Sequence, residues 1–347
     1  MNGRFWRRIA VIAVALTAFC ISSFAQTADN TPVNTAKYKK APPWTIGFSN
    51  ASVSNSWRVT YDEHIKFAID EAKAKGLIKN FYETNANDDA TKQIADIEDL
   101  VTKGIDLLIV SPASEEALTA EVEKVMKKGI PVVMSDRTIN SKNYVTFVSV
   151  SSEKMAEVQA DWLVKQLKGQ GNIVLFTGQA GSSPAEIRLA SAKAVFLKHP
   201  GIKILDTPQY TGWSPVQAKQ MMETLIQKYP KIDGVWVDGM EATGCVEAFL
   251  DAGLPVPPIT SEDFNKFLKS WKTNKLTAMA SNNDVKQGYD AVQFAFKVLR
   301  GETVPKVYLR ANGVYTNENL DKYVRMDLPD DFWTSSMPEV VKRMFPQ

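Results

Sequence analysis

From Thr45 onward, short apolar runs alternate with segments whose apolar residues recur every three to four positions. Thr45-Ile46-Gly47-Phe48 reads as a strand, and residues 56–75 read as a helix that stops at Gly76. Residues 80–84 then read as a strand, and residues 90–103 as a helix with Ile94, Ile97, Leu100 and Val101 on one face. Leu107-Leu108-Ile109-Val110 is apolar throughout, as a parallel strand buried on both faces must be. A helix over 115–128 and a strand at Val132-Val133-Met134 follow. The pattern continues with strands at 172–177, 203–205, 235–237 and 277–280. Helices are expected over 161–168, 186–198, 217–228, 243–252 and 285–299. Such an order predicts an α/β protein whose parallel sheets are doubly wound by right-handed crossovers. About ten strands are many for one open sheet. Two sheets of five or six are therefore expected, with a break near residues 148–152.

The first residues do not join this pattern. Arg4, Arg7 and Arg8 precede an apolar stretch over 9–21, and Ser23-Phe24-Ala25 offers small residues where a signal peptidase reads. Residues 1–25 therefore read as a cleaved secretory signal. The apolar stretch is short for an uncleaved anchor. Lipidation at Cys20 is disfavoured by the bulky Phe19 before it. Residues 26–43, with Pro32, Pro42 and Pro43, read as a flexible leader. Losing the signal removes three arginines, so the formal charge drops from +2 to −1. That balance lacks the basic excess of a nucleic-acid binder. Cys20 leaves too, so Cys245 has no partner for an intramolecular disulfide. Two histidines and one cysteine give no basis for a metal site or a cofactor. The expected mature protein is exported, periplasmic and monomeric.

In open α/β sheets, ligands bind just beyond the carboxyl ends of the strands. The segments there are polar and carry Trp57, Arg58, Asp136, Arg137, Arg188, Asp238, Asp263 and Asn282. Trp213 lies in another such loop, just before a helix. Aromatic faces beside carboxylate, guanidinium and amide groups suit a polyhydroxylated neutral ligand. A ring covers the C–H face of a sugar, while Asp accepts and Arg donates around its hydroxyl edge. Each residue also has an ordinary structural reading. Asp238 and Asp263 can cap helices, Asp136-Arg137 can be a local ion pair, Arg188 can be solvated, and Trp236 inside a strand reads as core. Their common position after successive strands favours the ligand reading.

Enzyme signatures are incomplete. Gly47-Phe48-Ser49-Asn50-Ala51 lacks the final glycine of a nucleophile elbow, and neither His64 nor His199 follows a late strand. Gly178-Gln179-Ala180-Gly181-Ser182-Ser183 lacks the Gly-Lys-Ser/Thr of a P-loop and the third glycine of a dinucleotide fingerprint. Asn85, Asn87 and Asp89 alternate as in a calcium loop, without its glycine or terminal glutamate.

From about Trp44 to Leu309 the chain resembles the periplasmic sugar-binding proteins of ABC importers, of the ribose- and galactofuranose-binding type. The resemblance is carried by Ile46-Gly47-Phe48-Ser49 with Asn55-Ser56-Trp57-Arg58, and by the run from Lys103 through Ser111-Pro112. Gly129-Ile130-Pro131 through Asp136-Arg137, then Gly178 to Gly181 ahead of Arg188, complete it. Trp57-Arg58 is closer to galactofuranose binders than to ribose binders. The resemblance implies the type I periplasmic binding protein fold, two lobes joined by a three-crossover hinge. It implies a first lobe of residues 44–150 plus 283–311, and a second of 151–282 plus 312–347. It further implies Asn55, Trp57, Arg58, Ser111, Asp136 and Arg137 on the first-lobe wall. Arg188, Trp213 and Asp263 are implied on the second, and Asn282 at the hinge, while Asp238 is a candidate from its place after a strand. Gly239-Met240 in place of Asn-Asp, and Glu262 in place of an aromatic residue, depart from the pattern. The implied function is capture of a sugar and its delivery to an importer permease, without catalysis. A sugar-sensing partner for a chemoreceptor or sensor kinase, and an exported enzyme, stay as alternatives.

Overall fold

The computed structural model describes residues 29–346, so the signal expected over 1–25 lies outside the described residues. The described residues begin with β1 (Pro32–Val33), then build a first lobe from β2 (Trp44–Asn50), α1 (Ser56–Ala74), β3 (Ile78–Asn85), α2 (Ala90–Thr102) and β4 (Leu107–Ser111). It continues through α3 (Glu115–Lys127), β5 (Val132–Ser135) and β6 (Thr146–Val150). A second lobe follows with α4 (Ser152–Gln166), β7 (Gln170–Thr177), α5 (Ser183–Phe196), β8 (Gly201–Ile204), β9 (Gln209–Tyr210) and α6 (Pro215–Lys228). Then come β10 (Gly234–Val237), α7 (Ala242–Asp251), β11 (Ile259–Glu262), α8 (Asn265–Asn274) and β12 (Ala278–Ser281). The chain returns to the first lobe for α9 (Gln287–Arg300), β13 (Val304–Pro305) and β14 (Val307–Arg310), then adds β15 (Val314–Tyr315) to the second lobe and ends on α10 (Pro338–Met344).

The first sheet has the order β14-β6-β5-β4-β2-β3 and is parallel throughout. The second runs β15-β12-β11-β10-β7-β8, with β9 also on β7 and β15 antiparallel to β12. Among the described residues the first sheet's six strands meet the expected five or six, and the second has seven, one more than expected. Ile46 and Phe48 face Tyr61 and Ile65 of α1, while Leu108 and Val110 face Ile97, Leu118 and Val122 on the other side. This double burial explains the unbroken apolar strands. In the second lobe Val174 and Phe176 pack toward α6 and α7, and Ile173 and Leu175 toward α4 and α5.

Three connections cross between lobes, after β6, β12 and β14. A fourth crossing was not anticipated. Trp333 stacks on Phe264 of the second lobe at 5.2 Å, and its indole N–H donates to Ser56 Oγ of the first lobe at 3.3 Å. Beyond it, Met337 N–H donates to His64 Nε2 at 3.1 Å, and Arg343 pairs with Glu63 and Asp70 of α1. The tail's last helix therefore lies on the first lobe, not on the second as the 312–347 assignment had it. The leader is likewise corrected for its described part. β1 pairs with β13, Thr35 is buried and its hydroxyl donates to Glu302 O, and Lys40 pairs with Asp106. Helix α4 starts at Ser152, nine residues before the expected 161, because Ser151 accepts the Lys154 N–H and caps it directly after the crossing.

Candidate functional site: the cleft between the lobes

The carboxyl ends of both sheets face one gap of about 330 Å³ including its mouth. Trp57, Arg58, Asp136, Arg188 and Trp213 line it with Asn55, and Pro184, Met240, Glu262 and Asn283 complete the wall.

The first-lobe wall is set by the start of α1. Asn55 Oδ1 accepts the Arg58 N–H at 2.9 Å and caps the helix. One turn of helix then delivers Trp57 and Arg58 to the gap. Trp57 stacks on Tyr61 at 5.1 Å, and its indole N–H donates to Asn283 O at 2.8 Å. Arg58 pairs with Asp136 at 2.8 Å and donates to Ser111 Oγ at 2.9 Å. Asp136 holds a left-handed backbone, φ 62°, which turns the chain sharply after β5. Ser111 does not line the gap but anchors the guanidinium that does. Arg137 also sits behind the wall, near Asp88 at 3.5 Å and with its guanidinium carbon 5.5 Å from the Trp213 ring centre. Burial, with the Arg58 charge close by, pulls Arg137 down to about 9.

The second-lobe wall repeats this set. Arg188, in α5, donates to Glu262 Oε1 at 2.9 Å, and Asn283 Nδ2 donates to the same oxygen at 3.1 Å. Burial opposes the Arg188 charge, but Glu262 and Asp238 outweigh it and raise the group. Burial lifts Glu262 to about 8 against the pull of Arg188, and the nearby Asp238 and Asp263 charges add to the lift. Trp213 has a left-handed backbone, φ 57°, and its indole N–H donates to Asp238 Oδ1 at 3.1 Å. The indole lies on bare backbone: a Cβ at Gly178 would fall 1.9 Å from Trp213 Cε2, and one at Gly239 would fall 2.7 Å from Cδ1.

Two expected residues are displaced by one position. Asp263 turns away from the gap to accept from Thr334 Oγ1 at 2.6 Å and Asn283 N–H at 3.2 Å, and burial raises it to about 6. Asn282 is spent on the hinge, where its N–H donates to Gly313 O at 3.0 Å and its side chain accepts the Gly313 N–H. Glu262 and Asn283, their neighbours, face the gap instead. Successive residues at a strand end point to opposite faces, so a one-residue error exchanges wall for backing. The Glu262 signal was present as a departure from the aromatic pattern, and Asn283 directly follows Asn282 in the polar segment Ser281-Asn282-Asn283-Asp284. Met240 and Pro184 carry no polar signal that would single them out.

The lobes meet around the gap. Thr138 N–H donates to Ser183 Oγ at 3.0 Å, and Glu115 N–H to Gly181 O at 3.4 Å. The geometry is that of two walls, each with one indole and one guanidinium–carboxylate pair, closed on a small polar space.

Comparison with known proteins agrees with this architecture. The model of the periplasmic binding protein domain matches residues 46–303. The chain is 27% identical over 276 residues to the ribose import binding protein of Bacillus subtilis, covering 79% of this chain and 87% of that one. It is 25% identical over 240 residues to a xylitol-binding protein of Mycolicibacterium smegmatis, covering 68% of each. Among solved structures it is similar to the fructose-binding periplasmic domain of a hybrid two-component system. That likeness has TM-score 0.74, 28% identity, and covers 80% of this chain and 92% of that one. An ABC transporter solute binding protein from Thermobispora bispora gives TM-score 0.76 at 26% identity, covering 83% and 90%. With two parallel-sheet lobes of the type I arrangement and a family match over most of its length, the chain belongs to the periplasmic binding protein domain family.

Proposed function

We propose that the protein captures a neutral monosaccharide or related polyol between its lobes and hands it to the permease of an ABC importer. The observation that carries this reading is the matched pair of walls: Trp57 with Arg58–Asp136, and Trp213 with Arg188–Glu262. Each guanidinium has acidic neighbours, Asp136 for Arg58, and Glu262 with Asp238 for Arg188, so neither faces the gap as an unbalanced charge for an acidic ligand. The gap offers indole faces for C–H surfaces and charge-assisted hydrogen bonds for hydroxyls. The ribose, xylitol and fructose named for its relatives are all neutral polyols, which supports the same class.

In this reading residues 1–25 direct export and are removed, and the mature protein works in the periplasm as a monomer. The sugar leaves chemically unchanged. Closure removes water from the gap and presents a composite surface of both lobes to the permease. The likeness to a domain of a two-component system supports a second reading, in which that surface meets a sensor. Capture of the sugar-loaded protein by a permease or by a receptor kinase separates the two.

The test is a thermal-shift screen of neutral pentoses, hexoses and polyols beside uronic acids and amino sugars. A ligand at about a hundred times its Kd should stabilise the protein by about 2.7 kcal/mol. A neutral member of the panel is expected to shift the melting point. A panel in which only charged sugars do so contradicts the reading.

A further inference from the structure

Behind the second-lobe indole lie two carboxyl groups that share no cation. Asp238 accepts the Trp213 indole N–H on Oδ1 and the Thr177 hydroxyl on Oδ2, at 3.1 and 2.8 Å. Glu241 opens the first turn of α7, is fully buried, and has no hydrogen-bond donor on either oxygen. The group within hydrogen-bonding reach of it is Asp238 itself. Two buried carboxylates in contact cannot both be ionised, whereas one proton between them satisfies both.

The surroundings decide which group carries that proton. Asp238 already accepts two donors and feels the Arg188 charge from α5. The titratable side chains around Glu241 are all acids, Asp238 after β10, Glu262 at the end of β11 and the Cys245 thiol one turn along α7, and its own backbone N–H opposes them only in part. Burial, and then the Asp238 charge, push Glu241 well above the usual carboxylate range. Glu241 also shares the indole's seat. A Cβ at Gly239 would lie 2.7 Å from both Glu241 Oε2 and Trp213 Cδ1. Glu241 and the Trp213 indole therefore sit side by side over Gly239, next to Asp238.

We propose that Glu241 is a positioning residue for the cleft: its carboxyl O–H donates to Asp238, and through Asp238 it fixes the indole face of Trp213. The proposal rests on the reading of Trp213 as a face for sugar. Its sign with pH follows directly. Raising pH removes the Glu241 proton, sets two anions against each other, and frees the indole.

The test needs no sugar. In the full-length mature protein, the indole N–H resonance of Trp213, assigned by its absence in Trp213→Phe, is followed between about pH 6 and pH 10. The infrared difference between wild type and Glu241→Gln at neutral pH is recorded beside it. Glutamine donates its amide N–H to Asp238 without titrating. Arg137, 5.5 Å from the Trp213 ring and pulled down to about 9, and Glu262, raised to about 8, titrate in this range in both proteins. Expected are a protonated-carboxyl C=O band lost in E241Q, an E241Q indole resonance at the wild-type position at neutral pH, and a wild-type resonance that moves further than that of E241Q as pH rises. Glu241→Ala should displace the resonance at every pH. The proposal is overturned if no such band disappears in E241Q, or if its resonance is displaced as far as that of E241A. If E241A does not fold, the band and E241Q decide alone. Because no sugar enters, a protein that binds none contradicts the proposed function and leaves this result standing.

Discussion

Gly178 determines where the second-lobe indole can lie. Its missing side chain leaves room for the benzo ring of Trp213, and alanine would place a carbon 1.9 Å from it. Gly178→Ala is predicted to weaken sugar binding at least about tenfold, roughly 1.4 kcal/mol. The fold should lose only about 1–3 kcal/mol, as for other overpacked sites. Calorimetric titration and urea unfolding of the same variant measure the two effects. Unchanged affinity would show that the indole does not touch the ligand. At this scale the sequence made the residue types legible and blurred their aim. Trp57, Arg58, Asp136, Arg188 and Trp213 reach the gap from the segments named for them. Asp263 and Asn282 do not, because only the pleat of β11 and the hinge hydrogen bonds to Gly313 decide which of two adjacent polar residues points inward.

Among the elements, the last segment is held by one buried histidine. His64 Nδ1–H donates to Thr60 O at 2.7 Å, which leaves Nε2 to accept the Met337 N–H. Burial drops His64 from 6.5 to about 4, so it is neutral in the folded protein. A histidine with a lowered folded pKa contributes stability that is complete above 6.5 and fades as pH falls toward 4. The contribution is on the order of 3 kcal/mol. Glu262 and Asp263, raised to about 8 and about 6, act with the opposite sign: their contributions are complete at low pH and fade as pH rises. His64→Gln isolates the histidine. Between pH 7 and pH 4 the variant should lose less unfolding free energy than wild type; equal losses would contradict the assignment. The tail that His64 holds was not legible as an element. It docks through single contacts such as Trp333 on Phe264 and carries no repeating apolar period. The leader was misread for the same reason, since Thr35 and Lys40 are fixed by partners far along the chain. Strong periodicity made the two-sided sheets legible, as in β4 and α2.

At the largest scale the described residues form two large sheets whose working ends meet, joined by three crossings and a strap. A ligand can shift such a molecule toward its closed form only by binding that form more tightly. Contacts between lobes that do not touch the ligand therefore contribute to affinity through the open–closed balance. The hydrogen bond from Thr138 N–H to Ser183 Oγ is one. Ser183→Ala should weaken sugar binding by about 0.5–1.5 kcal/mol, with a faster off-rate and little change in on-rate. Stopped-flow dissociation measures it, and an off-rate equal to that of wild type would show that this bond plays no part in closure.

The central claim is that one sugar is held by both lobes at once. Calorimetric titration of the neutral sugar selected by the thermal screen, with Trp57→Ala and Trp213→Ala as separate variants, tests it most directly. Each substitution removes the indole of one lobe only. The account predicts that each variant stays folded and that each loses at least about tenfold in affinity, roughly 1.4 kcal/mol. Wild-type affinity in either folded variant would contradict it, because the sugar would then be held by one lobe alone.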